Sequence, residues 1–253
     1  MAPILTSLKE AGKSVLKIAE KRGIDEAEAY LVSNKVLTIR LVNNAVFESK
    51  GVHDIGVGLR VIKGDMLGFS STADLSKKSL EKLVDTATST AKARKLPFKY
   101  SFPKPRKIPR VAGIYDKDLA ALPSEKAVKL AYDMVEASMA HNKKIVDNAG
   151  VLNIVSYETM VLNTHGVSAE NAGTFFEASL SATAKSGGNV SEGSDATAGR
   201  SLKELKPKHV GEKTAEMAIS GLKSQKLKED TYTVILDYEP TYGVLSYASM
   251  LVS

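Results

Sequence analysis

Side chains able to do acid–base or metal chemistry are few in this chain. Four histidines stand among 29 carboxylates in 253 residues with no cysteine, which excludes thiolate nucleophiles, disulfides, Cys-ligated zinc and iron–sulfur clusters together. His209 and Glu212 lie three apart on an expected helix, a spacing that puts both on one face. A zinc site needs three or four donors, and with no third nearby the pair reads as solvent-facing. His53-Asp54, His141 and His165 fall singly at strand or turn positions, none at a spacing that implies a catalytic triad. Two glycine clusters fail as phosphate cradles, because Gly56-Val-Gly58 lies inside a strand pattern and the run from Gly187 to Gly193 lacks a closing Gly-Lys-[Ser/Thr]. Gly56 and Gly58 are expected to mark a bulge or close packing against a helix. Within a polar Ser/Gly-rich stretch from Lys185 to Arg200, the run Gly187–Gly193 is expected to be a mobile loop, with Ser191, Glu192, Ser194 and Asp195 left in water.

Charge is the other concentrated signal. The net charge is +6, yet Lys92, Arg94, Lys95, Lys99, Lys104, Arg106, Lys107 and Arg110 occur with no acid between them, and the rest of the chain sums to −2. Phe98, Tyr100 and Phe102 alternate through this arm. That composition suits a single-stranded nucleic-acid track or an acidic partner, and equally an ordinary edge strand burying one face.

The elements that must position these residues follow from periodicity. Leu5, Leu8, Ala11, Val15, Ile18 and Ala19 step by three and four, and Gly23 stands where a left-handed cap would stop the helix. Period-two runs over 36–42, 46–49, 55–62 and 66–69, parted by Asn43-Asn44 and Lys63-Gly64-Asp65, predict a four-strand antiparallel meander. A second helix, capped by Asp74 or Ser76, carries Leu80, Leu83, Val84, Ala87, Ala91 and Ala93 on one face and ends before Pro97. After four prolines the order recurs. A helix opens at Pro123-Ser124-Glu125 with Val128, Ala131, Tyr132, Val135 and Met139 inward, alternating runs follow to Ala184, and a helix runs from about Pro207 to Gln225.

The fold class expected is α+β, two duplicated helix–antiparallel sheet–helix units joined by a Pro-rich basic linker. The boundaries are 1–97, 98–122 as the linker or wrapping arm, and 123–253 ending in a strand and an apolar helix. A shared Val-x-x-[Ser/Thr]-basic-Gly-Val at Val46–Val52 and Val161–Val167 supports duplication, with element order the stronger argument. The N-terminus reaches charge without a long apolar run and the longest uncharged stretch, Pro240–Ser253, is too short to span a bilayer, so neither a secretory signal nor a membrane span is expected. With no cysteine, a cytoplasmic location is the simplest expectation.

The assembled features resemble the TldD/PmbA family, described as modulators of DNA gyrase and as zinc metalloproteases. The resemblance rests on Gly23-Ile-Asp-Glu-Ala-Glu-Ala-Tyr30, Lys50-Gly51, Gly56-Val-Gly-Leu-Arg-Val61, Gly68-Phe-Ser-Ser-Thr-Ala-Asp-Leu75, the run from Ala87 to Arg94, Thr159–Gly166, and Thr231–Asp237 as the family's central strand. Catalytic members carry a His-Glu-x-x-x-His helix after that strand, whose histidines hold zinc while the glutamate activates its water. Here Tyr247, Ala248 and Val252 occupy those places, so no catalytic residue and no metal ligand is carried over.

The resemblance therefore implies the PmbA (TldE) branch, a non-catalytic subunit not expected to act alone, with zinc only in a catalytic partner. The partner would be a TldD-like paralogue or a second copy, and the substrates unfolded peptides reaching a shared cavity, where strand edges accept backbone by β-addition. Tyr242, Val244, Leu245, Met250 and Leu251 would lie on a helix apolar around much of its circumference and form the partner-binding surface. Relative to the family the chain reads as truncated before or within a C-terminal domain, whether as a truncated product, a fragment or a split form. The alternative is a nucleic-acid or DNA gyrase-associated module using the arm 92–110, although nucleic acid is not the expected partner.

Overall fold

Leu8, Ala11, Val15 and Ala19 are buried along one side of helix α1 (Pro3–Lys21), and Gly23, at φ +66°, ends it. The Gly23 N–H donates to Glu20 O at 3.0 Å and the Ile24 N–H to Ala19 O at 3.2 Å, the paired bonds of a left-handed helix stop. The computed structural model describes residues 3–93, 95–109 and 111–252. Arg94 and Arg110 of the expected arm, and the Leu5 side chain, lie outside the described residues.

Alternation then builds β1 (Glu26–Val42), β2 (Ala45–Lys63) and β3 (Met66–Thr72). The turns are the expected ones, Asn43-Asn44 at φ 51° and 62°, and a second with Gly64 at φ +62°. The expected four strands are three, because Val46–Ser49 and Ile55–Ile62 belong to one 19-residue strand whose pairing with β1 continues through residues 50–54, where every residue is exposed and the period-two pattern lapses. Helix α2 (Lys77–Ala91) follows. Both expected caps serve it: Ser76 Oγ accepts the Ser79 N–H at 3.4 Å, while Asp74 accepts from the Ser76 N–H at 2.8 Å and holds the Ser79 hydroxyl.

After a short helix α3 (Lys117–Ala120), the order recurs as α4 (Ser124–His141), β4 (Ile145–Asn163), β5 (Ser168–Ser186), β6 (Asn189–Gly199) and α5 (Pro207–Gly221). All six strands form one antiparallel sheet ordered β3-β2-β1-β4-β5-β6, so the halves join at a β1–β4 seam. Odd-numbered residues of β1 pack under the helices of both halves: Leu31 with Leu8, Leu83 and Val84, and Ile39 and Leu41 with Ala131 and Val135. The fold is α+β, and helices α1, α2, α4 and α5 lie on one face of the sheet.

Glycine marks the repeat more clearly than any motif. A Cβ on Gly68 of β3 would sit 1.9 Å from Ala87 O of α2, and a Cβ on Gly193 of β6 would sit 2.3 Å from Ala218 N of α5. In each half the third strand carries a glycine so that the closing helix can approach its backbone. This is why the Ser/Gly-rich stretch holding the expected mobile loop is strand β6, paired with β5 from Phe176↔Gly199 to Ser186↔Asn189. The seven-residue Val-x-x match does not mark equivalent places, since Lys50-Gly51 lies within β2 whereas His165-Gly166 forms the β4–β5 turn. Helix α4 is also rotated from expectation. Ala127, Ala131, Met134, Val135 and Ser138 are buried while Tyr132 and Met139 are exposed, because α4 packs closely on α5 where Gly211 lies against Met134 O.

Residues 223–252 form a second compact unit. In it Asp237 caps helix α6 (Tyr238–Leu251) by accepting the Tyr238 N–H at 2.7 Å. The strand expected over Thr231–Asp237 is not formed. No helix among the described residues is long and apolar enough to cross a membrane.

Candidate functional site

The sheet face without helices presents the even-numbered residues of β1 and, from Glu48 onward, of β2, with their partners on β4, β5 and β3. At one corner, where β1 begins, this face is built up by the proline-rich arm. The arm forms no strand; after a single bridge between Lys95 and Met66 it crosses the sheet as an irregular strap. Of the three alternating aromatics, Phe102 is buried and Phe98 is exposed. The edge-strand alternative therefore does not describe the arm, and Phe102 is engaged in packing.

Three side chains hold the strap. Glu26 Oε2 accepts the Phe102 N–H at 2.7 Å and lies 2.9 Å from His165 Nε2, and Glu26 Oε1 accepts the Ser101 hydroxyl at 2.8 Å. Burial alone would raise the Glu26 pKa, but these donors outweigh it and hold the carboxyl below its ordinary value. Asn163, itself buried, donates to Pro103 O at 2.9 Å while its Oδ1 accepts the His165 and Val167 N–H groups that shape the β4–β5 turn. Arg60 stacks on Phe102, with its guanidinium carbon 5.3 Å from the ring centroid.

Arg60 is in turn held by Glu28, opposite it across the β1–β2 ladder and almost fully buried. The hydrogen bond that Arg60 donates to the Glu28 carboxylate keeps the guanidinium more firmly protonated than usual. Beyond this pair, Tyr30, Gly58, Phe69 and Val161 complete the wall of a pocket of about 320 Å³. Gly58 is neither in a bulge nor packed on a helix: a Cβ there would meet the Phe69 ring at 3.4 Å and Tyr30 O at 3.9 Å, both ordinary van der Waals contacts. Gly56 similarly faces Val32 and Thr72 O.

The far end of the strap is tied to the second half. Thr174 N–H donates to Ile114 O at 2.8 Å, its Oγ1 accepts the Asp116 N–H at 2.9 Å, and Asp116 accepts the Leu202 N–H at 2.8 Å. That last bond, with those from Asp118 and Leu119, lowers the Asp116 pKa. Lys99, Lys104, Arg106 and Lys107 remain exposed along the strap, Lys95 pairs with Asp65 at 2.7 Å, and Lys92 follows the end of α2.

The other sequence-selected residues are distributed elsewhere. His209 and Glu212 meet His141 and Glu216 in an open groove of about 600 Å³ between α4 and α5. Among the described residues no group of three or more His, Asp or Glu is arranged to hold a metal ion. His53 Nε2 lies 2.9 Å from Ser33 Oγ, and no hydrogen bond to a third group among the described residues orients it as a catalytic base. On α6, Tyr242, Val244, Leu245, Met250 and Leu251 are 74, 59, 62, 66 and 87% exposed. Tyr247 and Ala248 lie on the same helix and Val252 follows it. These three side chains do not fit a zinc site of the two-histidine, one-glutamate kind. The corner of Glu26, Glu28, Arg60, Phe102 and Asn163 escaped sequence reading, since its parts come from four separated segments.

Comparison with known proteins agrees with the architecture. Family models described as PmbA/TldA metallopeptidase domain 1 and central domain match residues 27–91 and 117–222, more than half of the chain. The chain is 25% identical to a metalloprotease PmbA homolog of Haemophilus influenzae over 97% of its length and 55% of that protein's. It is 23% identical to a metalloprotease TldD homolog of the same organism over 74% of its length and 39% of that protein's. Among solved structures, a Thermotoga maritima protein described as a candidate modulator of a DNA gyrase superposes with a TM-score of 0.77 at 21% identity, over 87% of this chain and 50% of that one. TldE from Thermococcus kodakarensis superposes with a TM-score of 0.71 at 19% identity, over 81% and 46%. The chain thus spans about half the length of these relatives.

Proposed function

The chain belongs to the TldD/PmbA family, and on that premise we propose that it serves as a non-catalytic, PmbA/TldE-like subunit of a zinc metalloprotease assembly acting on unfolded peptides. A proteolysis-related role is the family's. The observation that carries the finer reading is helix α6. Where the resemblance places a His-Glu-x-x-x-His helix, this chain has Tyr247, Ala248 and Val252, surrounded by exposed Tyr242, Val244, Leu245 and Leu251. A surface this apolar gains most by being covered, at about 25 cal/mol per Å² removed from water. The cover proposed is a TldD-like paralogue, which would supply the zinc and the general base.

The reading is tested by isolating the tagged chain from its own cells at moderate salt and identifying what co-purifies. The expected result is a paralogue carrying His-Glu-x-x-x-His, with peptidase activity and stoichiometric zinc in the complex. The chain alone should show neither. Zinc near one per isolated chain, or peptide cleavage by it, would overturn the proposal.

A second reading, a nucleic-acid-binding arm, rests on the exposed Lys99, Lys104, Arg106 and Lys107. It requires affinity that falls steeply with salt and with neutralisation of those four residues.

A further inference from the structure

We propose that the Arg60 corner of the open sheet face is a binding pocket for the C-terminus of a peptide ending in a large apolar residue. It has an anionic subsite and an apolar subsite side by side. Glu28 fixes one side of the Arg60 guanidinium and Phe102 supports its face, yet the side chain remains 46% exposed. An arginine held in this way is preorganised to donate paired hydrogen bonds to a carboxylate, because little of its side-chain freedom is left to lose on binding.

The apolar subsite lies on the next rung of the sheet. Tyr30 and Gly58 are partners across β1 and β2, Val161 faces Tyr30 from β4, and Phe69 pairs with Arg60 from β3. Tyr30 and Phe69 are 49 and 57% exposed, so their rings are offered to a ligand rather than spent in the core. Gly58 leaves the floor open, and the pocket, at about 320 Å³, is the size of one large side chain rather than of a helix or a folded surface.

The strap decides between a chain end and an internal acidic residue. Glu26, on the rung before Glu28, is covered by Ser101 and Phe102. A polypeptide lying along β1 with its last side chain at Tyr30 and its carboxylate at Arg60 therefore meets the strap at the next rung. An α-carboxylate meets that restriction, whereas an internal aspartate needs room for the chain that follows it. The choice of a peptide over another apolar carboxylate rests on the proteolysis-related reading above.

The test uses the 253-residue chain and three N-terminally fluorescein-labelled peptides, followed by anisotropy. One ends in Leu-Phe with a free carboxylate, one is its C-terminal amide, and one carries Phe-Asp internally followed by four residues and an amide. The free acid is expected to bind at least about tenfold more tightly than either of the others, the loss of a charge-assisted hydrogen-bonded pair. Gly58→Leu fills the floor with its Cβ at ordinary van der Waals distance from the Phe69 ring and Tyr30 O, and should weaken the free acid about tenfold while leaving the urea midpoint unchanged. Arg60→Gln should abolish the preference for acid over amide. Equal binding of acid and amide, equal binding of the internal aspartate, no binding at millimolar peptide, indifference to Gly58→Leu, or tighter binding of free 3-phenylpropionate would each overturn the proposal. Because the measurement needs no partner, its failure leaves the subunit reading intact, and failure to recover a paralogue leaves the pocket intact.

Discussion

The two halves of the sheet share a plan and differ at one corner. Each runs helix, three antiparallel strands, helix, and each puts a glycine in its third strand beneath its last helix. Where β1 begins beside the end of β2, however, the open face carries Glu28, Arg60 and the strap. Where β4 begins beside the end of β5, the same face carries Asp147, Ala149, Ser181 and Thr183. The duplicated parts are those that build a stable sheet, while the part present once joins a buried carboxylate, a supported guanidinium and exposed aromatics. Symmetry here accounts for the scaffold, and departure from it locates the candidate chemistry.

The comparison breaks most visibly at the glycines. Gly68→Val and Gly193→Val each drive a side chain into helix backbone and are expected to cost about 3 kcal/mol or more, the upper end for overpacking. Because β1 and β4 make the sheet continuous, either should shift one cooperative urea transition, monitored by circular dichroism. Two separate transitions would show instead that the halves fold as independent modules.

Phe102→Ala sharpens the asymmetry. It removes a buried ring and the support of Arg60, for about 3 kcal/mol in the same assay. Hydrogen exchange should accelerate at the β1–β2 corner and not at the β4–β5 corner.

The smallest effect expected is electrostatic. Since the Glu26 carboxyl is lowered in the folded state, its contribution is fully present above the ordinary glutamate value of about 4.3. It is lost as the pH falls through the lowered folded value. Glu26→Gln should flatten that part of the urea-midpoint profile and leave the second corner unchanged.

Much of the scaffold was legible because it follows local rules. The spacing of Leu8 to Ala19, the Asn43-Asn44 turn and the Ser76 cap are decided within a few residues. Strand β6 was misread because Gly193, which locally argues for a loop, is required by a helix that comes later in the chain. The inward face of α4 was misjudged for a similar reason, its packing being set by Gly211 on α5. The corner was least legible. Glu26 meets Ser101 75 residues on, and Arg60 meets Glu28 across 32, distances over which single-chain periodicity carries no pairing information.

The seam between β1 and β4 also governs how the molecule is made. Ala27 and Thr164, which bond across it, are 137 residues apart, so a ribosome emitting about 5–20 residues per second leaves the inner edge of β1 unpaired for roughly 7–27 seconds. During that interval the newborn first half is a three-stranded sheet whose middle strand of the finished molecule is still an open border. Such a border invites pairing with a neighbouring nascent chain. The biosynthetic hazard of this architecture thus lies at the centre of the completed sheet, in a place that the mature protein hides altogether.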